Sequence, residues 1–166
     1  MDDLYNELEK ILVCELDIHN SAADAAASLN KSIRENNISD IQTFTIRHDE
    51  QICQIEKLEV QRIEYSIQIG RKLGLKMKVP RLASLIENAP ENRRAKLSEI
   101  HIALKNKVFE LSRQTVSNQL LLENAMNVIN CTLTFVRKAQ NKYEPYGSKK
   151  KTGHSFQAYS LINRTV

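Results

Sequence analysis

The 166 residues are 42% apolar and 27% charged, with 4 Gly, 3 Pro and no Trp, a mixture that suits one helical domain with a Leu- and Ile-rich core and argues against a sheet protein. The net charge of +4 belongs to one end. From Arg137 onward there are seven Lys or Arg and one acidic residue, Glu144, which leaves 17 basic and 19 acidic residues before it, a net of −2. Folded nucleic-acid binders carry basic residues along a face. Here they gather in a terminal segment with the run Lys149-Lys150-Lys151, so nucleic acid is not an expected partner. No apolar run approaches the roughly 18 residues of a membrane span, and the acidic start Met1-Asp2-Asp3 has no leader character. The expectation is a cytoplasmic chain without membrane insertion.

From Leu4 to about Asn37, the spacing of Tyr5, Leu8, Leu12, Leu16, His19, Ala23, Ala26 and Ile33 predicts a first amphipathic helix, with Asp2 and Asp3 offering its N-cap and favourable charge. Asn36-Asn37 weakens that helix and Ser39-Asp40 supplies a fresh cap, which places a tight turn before Ile41. A second helix is expected from about Asp40 to Leu73, with Ile41, Phe44, His48, Ile52, Ile55, Leu58, Ile63 and Ile69 on or near one face and Gly74 as its C-terminal cap. Pro80 and Pro90 then bracket Arg81 to Asn88, where Leu82, Leu85 and Ile86 allow a short docked helical segment. Glu91 opens a third helix reaching about Asn141; about fifty residues at ~1.5 Å each make it longer than the other two could cover. After it, Pro145, Gly147, Gly153 and aromatics without period read as a flexible basic tail. The expected fold is all-α: an elongated antiparallel bundle of three long helices with a short connecting helical segment, residues 1–141 as the bundle and 142–166 as the tail.

The third helix carries two apolar stripes. Leu104, Val108, Leu111, Thr115, Asn118, Leu122, Ala125, Ile129, Thr132, Val136 and Ala139 step alternately by four and three residues, the seam of a coiled coil or bundle. Leu121, Val128 and Phe135 lie beside it, while the same heptad slot upstream holds Lys107 and Gln114. The apolar face therefore widens after Asn118 beyond what one helix–helix seam requires. Periodicity leaves two readings open: a docking face for a partner helix, or core against the first or second helix.

Catalytic signatures are missing. There is no Gly-rich phosphate loop, no Gly-x-Ser-x-Gly elbow and no Cys or His cluster. Cys14, Cys53 and Cys131 stand outside any metal-ligand spacing and read as reduced, packed thiols. His19 and His48 occupy seam positions, as partly buried, hydrogen-bonded side chains. His101 with Lys105 raises a phosphotransfer histidine, but such domains place the lysine three residues on and follow it with Gly; here it comes at four and precedes Asn106. Glu56 or Glu59 with Arg62 reads as a solvated ion pair. No carboxylate pair is isolated for acid–base work, so neither an enzyme nor a cofactor is expected.

Four short motifs occur in order. They are Leu58-Glu59-Val60-Gln61-Arg62, the pair Leu73-Gly74, the stretch Asn118-Gln119-Leu120-Leu121-Leu122-Glu123 and the pair Tyr146-Gly147. Together they resemble the Leu-Glu-x-x-Arg, Leu-Gly, Asn-x-x-Leu-Leu and Tyr-Gly of the FlgN family of flagellar export chaperones, over almost the full chain. The tail departs from that pattern: Ser148 to Thr152 separates Gly147 from Gly153, where the family has its second Gly within about three residues. The resemblance implies a cytoplasmic chaperone that holds the C-terminal helical segments of the hook–filament junction proteins FlgK and FlgL and presents them to the export gate. It implies a client surface of Asn118, Leu121, Leu122, Ala125, Val128, Ile129, Thr132, Phe135 and Val136. It also implies docking on the gate component FlhA at Tyr146 and Gly147, with Tyr143 as a nearby substitute. Asn118 and Thr132 would weaken self-association, leaving a monomer or weak dimer. The alternative is a structural or adaptor coiled coil that self-associates through the same stripe without an export role.

Overall fold

The computed structural model describes residues 1–141. Four helices follow in order: α1 (Asp2–Arg34), α2 (Ile38–Lys72), the short α3 (Leu82–Glu87) and α4 (Glu91–Asn141), with no strand among the described residues. The fold is the all-α bundle of three long helices with a short helical connection that the periodicity predicts. The chain divides into two compact units, Met1–Asn127 and Val128–Val166, and α4 contributes to both.

In the first unit α1 and α2 run antiparallel, since Ser21 meets Gln51 while Glu15 meets Arg62. α4 runs parallel to α1, because Asn6 meets Arg93 and Asn30 meets Asn118. The turn between α1 and α2 is made of two overlapping caps. Asn36 takes φ 54°, and the N–H groups of Asn36 and Asn37 donate to Ile33 O and Ser32 O, the Schellman pattern that ends a helix. Asn37 then caps α2, its side-chain oxygen accepting from the Asp40 N–H at 3.3 Å. The cap read at Ser39-Asp40 is thus corrected: both residues lie inside α2, and Asp40 supplies first-turn charge. Similarly, α1 starts on Met1 without a side-chain cap, leaving Asp2 and Asp3 to act on the helix dipole. The expected Gly74 does end α2. It takes φ 71°, its N–H donates to Arg71 O, and the Leu75 N–H donates to Gly70 O.

The core is largest where α3 docks. Tyr5, Leu8, Leu12, Ile69, Leu85, Ile86, Ala89, Leu97 and Ile100 pack together, and the buried Tyr5 hydroxyl donates to Leu85 O at 3.0 Å. Toward the opposite end it thins to Ala22, Ala26 and Leu111, with Ile52 and Ile55 half-buried against them. Burial stabilises in proportion to apolar area, so the alanine end contributes less than the α3 end.

Three sequence expectations change here. Arg62 does more than form a solvated pair. Its Nε reaches Glu15 at 3.0 Å and its Nη2 reaches Glu59 at 3.1 Å, and the Glu15 side chain is only 4% exposed within the α1 stripe. Burial raises the Glu15 carboxyl above the usual range, and the Arg62 guanidinium offsets part of that rise. His19, one turn further, is buried with its Nδ1 lacking a hydrogen-bond partner, and burial pushes its pKa down. Finally, Cys14, Cys53 and Cys131 are free and exposed rather than packed. Cys14 falls beside the inward positions Ile11, Leu12 and Glu15, and Cys53 falls two residues past the buried Gln51.

Candidate partner-binding surface

In the first unit the inward side of α4 consists of two heptad columns. One is Leu97, Leu104, Leu111 and Asn118; the other, three residues on from each, is Ile100, Lys107, Gln114 and Leu121, and all are buried or half-buried. The expected seam paired the first column with Val108, Thr115 and Leu122, and those three are exposed. Lys107 and Gln114 lay their aliphatic stems in the seam and keep their polar ends on Glu110, at 2.7 Å and 3.3 Å. A count of apolar residues places Val and Leu inside, whereas the stems of long polar residues fill that space.

Asn118 closes this seam. It is 4% exposed, its Nδ2 donates to Ala26 O at 2.8 Å, and its Oδ1 accepts from Asn30 Nδ2 at 2.7 Å. The amide thus links α4 to α1, and Asn118 also lines the groove that opens beyond it. Leu121 is half-buried beyond it, while Leu122 and Ala125 are exposed. Asn6 pairs with Arg93 and Asn30 with Asn118, so α1, ending at Arg34, runs out about one turn past Asn118. There an open groove of about 690 Å3 forms, walled by Leu29, Thr115, Leu122 and Met126 and flanked by His48 and Asp49 of α2.

In the second unit every position from Val128 to Ala139 is exposed. Val128 is 66% and Phe135 73% exposed, and Ile129 and Val136 are also open. Thr132 is satisfied by its own helix, its Oγ1 donating to Val128 O at 2.9 Å. Asn130, Cys131, Thr134, Phe135 and Lys138 line a shallow depression of about 350 Å3. Of the residues nominated from sequence, Asn118 and Leu122 line the groove, Phe135 lines the depression, and the others share only their helix. Tyr146 and Gly147 lie outside the described residues.

Sequence reasoning overlooked a further exposed set on α4. Ile102, Phe109 and Val116 stand seven residues apart and Leu120 follows, with Phe109 at 74% exposure. Their heptad spacing is the signal that could have found them. Met126 and Leu133 are likewise exposed. Among the described residues, no three His, Cys, Asp or Glu side chains gather as a metal site, and no helix is long and apolar enough to cross a membrane.

The fold and this surface define an all-α helical bundle whose longest helix leaves much of its apolar surface uncovered. A family model described as FlgN protein matches residues 1–153. The chain belongs to the FlgN family, which is a family of flagellar export chaperones and not of enzymes. No curated protein and no solved structure matched it.

Proposed function

We propose that this chain is a cytoplasmic chaperone for the hook–filament junction proteins FlgK and FlgL, and that it delivers them to the export gate component FlhA. The C-terminal helical segment of the client lies along Leu121, Leu122, Ala125, Val128, Ile129, Thr132, Phe135 and Val136 of α4, covering apolar surface on both partners that would otherwise aggregate. Asn118 is left out of this set because its amide is bonded to α1. The supporting observation is the exposure of Val128, Ile129, Phe135 and Val136 in a member of the FlgN family. Apolar anchors at helical spacing are a recurrent mode of helix recognition. Each fully buried Val, Leu or Phe contributes about 1.5–3 kcal/mol before the client's ordering cost, so binding is reversible and sensitive to single changes. In this reading residues 1–141 form the chaperone domain, and Tyr146 with Gly147 form the gate-docking motif.

Size-exclusion chromatography of the purified chain with full-length FlgK or FlgL, and with versions lacking the C-terminal segment, tests this reading. A complex with the full-length clients alone is expected; complexes with both forms, or with neither, contradict it. Tyr146→Ala should keep the client complex and lose FlhA binding, and loss of the client instead would refute the division of labour. The coiled-coil alternative makes a different statement about the chain by itself. It requires a stable dimer or larger species in light scattering, whereas the chaperone reading requires a monomer or weak dimer.

A further inference from the structure

The groove in the first unit carries information about its occupant that the bare apolar face of α4 does not. Leu29, Leu122 and Met126 form its walls, and two carboxylates stand on its lining, Asp49 from α2 and Glu123 from α4. Among the described residues no lysine or arginine lines it. Asp49 has the Nδ1 of its neighbour His48 at 3.8 Å, and Glu123 accepts a hydrogen bond from Gln119 at 3.0 Å. Several carboxylates elsewhere in this unit are bridged by a Lys or Arg, among them Glu7 by Lys10, Glu9 by Lys96, Glu15 by Arg62 and Glu110 by Lys107. The groove therefore combines an apolar wall with two carboxylates that no Lys or Arg of the described residues pairs with.

We propose that this groove accepts an amphipathic partner helix that presents one apolar anchor side chain with a lysine or arginine one helical turn to either side. The anchor fills the space between Leu29, Leu122 and Met126, and the unbranched Met126 adapts to its shape. The flanking cations pair with Asp49 and Glu123. An acidic helix is repelled by the same carboxylates, so the rim sets specificity as much as affinity. This rests on the client-binding reading only for the identity of the helix, since the charge preference belongs to the groove itself.

Two designed helical peptides test the proposal. They share leucine anchors at alternating three- and four-residue steps, and carry Lys in one and Glu in the other at positions one turn from the central anchor. In fluorescence-anisotropy titrations of the full chain at ~50 mM salt, the Lys peptide should bind about tenfold more tightly, the range open to two exposed ion pairs. The gap should narrow at ~500 mM salt, where screening shortens the reach of each charge. It should vanish in the Asp49→Asn, Glu123→Gln double variant, whose helix content by circular dichroism should match the parent. Leu122→Gln should weaken both peptides alike, which separates wall from rim. Equal affinity for the two peptides, or a gap that survives the double variant, would overturn the charged rim. Binding of neither peptide would overturn the groove as a helix site. A stable dimer that binds peptide only on dissociation would assign the groove to a second copy and also overturn the proposal. A stable dimer counts against both readings, whereas FlgK or FlgL binding along α4 holds or fails independently of the peptide outcomes, so the titrations separate the two.

Discussion

Asn118, Glu15 and His19 are polar side chains set inside apolar stripes, and each has a different physical consequence. Asn118→Ala removes two hydrogen bonds to α1, the one its Nδ2 donates to Ala26 O and the one its Oδ1 accepts from Asn30 Nδ2. The expected loss is about 1–3 kcal/mol in urea unfolding, for two hydrogen bonds at about 0.5–1.5 kcal/mol each. Loss of client binding with no loss of stability would instead return Asn118 to the client surface. Arg62→Ala strands the buried Glu15 carboxylate and should cost about 3–5 kcal/mol near neutral pH. The Glu15 pKa is raised in the fold, so between its unfolded and folded values the native chain holds more protons than the unfolded one. Stability from this group therefore falls as pH rises, and the Arg62→Ala deficit should shrink on acidification. His19 has the opposite sign. Burial lowers its pKa below the ordinary histidine value, so below that value the unfolded chain takes up a proton that the native chain resists. Stability is lost as pH falls through this window, and His19→Gln should flatten that part of the profile, read from thermal midpoints at a series of pH values.

At the scale of elements, the span of α4 and the position of the short α3 were legible, because Pro80, Pro90 and Gly74 punctuate the chain by steric rules that need no partner. The cap of α2 was less so. Asn37 ends one helix and begins the next, and only the left-handed φ of Asn36 reveals which residue performs each task. The seam of α4 was misread by one column for a reason that composition conceals: Lys107 and Gln114 look polar by residue type but contribute hydrocarbon stems. Glu15 was passed over similarly, although it sits three residues after Leu12 and four before His19 on the same helical stripe. The connection after α2 depends on one close approach. A Cβ on Gly70 would run into Pro80 Cγ, so Gly70→Ala should lower stability by about 1–3 kcal/mol, as overpacking does. Differential scanning calorimetry would register this as a lower midpoint, with part of the loss recovered when Pro80→Ala is added.

For the whole molecule, membership of the FlgN family and exposed apolar side chains on α4 bear on one question: which of those side chains meet a client. Exposure by itself does not decide it, because Phe109 is as open as Phe135. Sequence pattern nominated the column of Val128 and Phe135 by its continuity with Leu121 and passed over Ile102, Phe109 and Val116, which follow the same heptad spacing on another side of the helix. Partner choice is not written in periodicity, which reports only that a face is apolar. Substituting one residue from each set therefore separates a specific surface from general stickiness. Phe109→Asp should keep client binding, and Val128→Asp should abolish it, with both variants within about 0.5 kcal/mol of the parent stability because neither side chain is core.

The most direct test is calorimetric titration of the purified chain and its Val128→Asp variant with the C-terminal helical peptides of FlgK and FlgL, with melting curves recorded on the same samples. Saturable one-to-one binding to the parent, absent in a variant with an unchanged melting curve, is the predicted result. No heat with either peptide from folded parent protein, or binding that persists in Val128→Asp, would contradict the assignment of this face of α4 to the client.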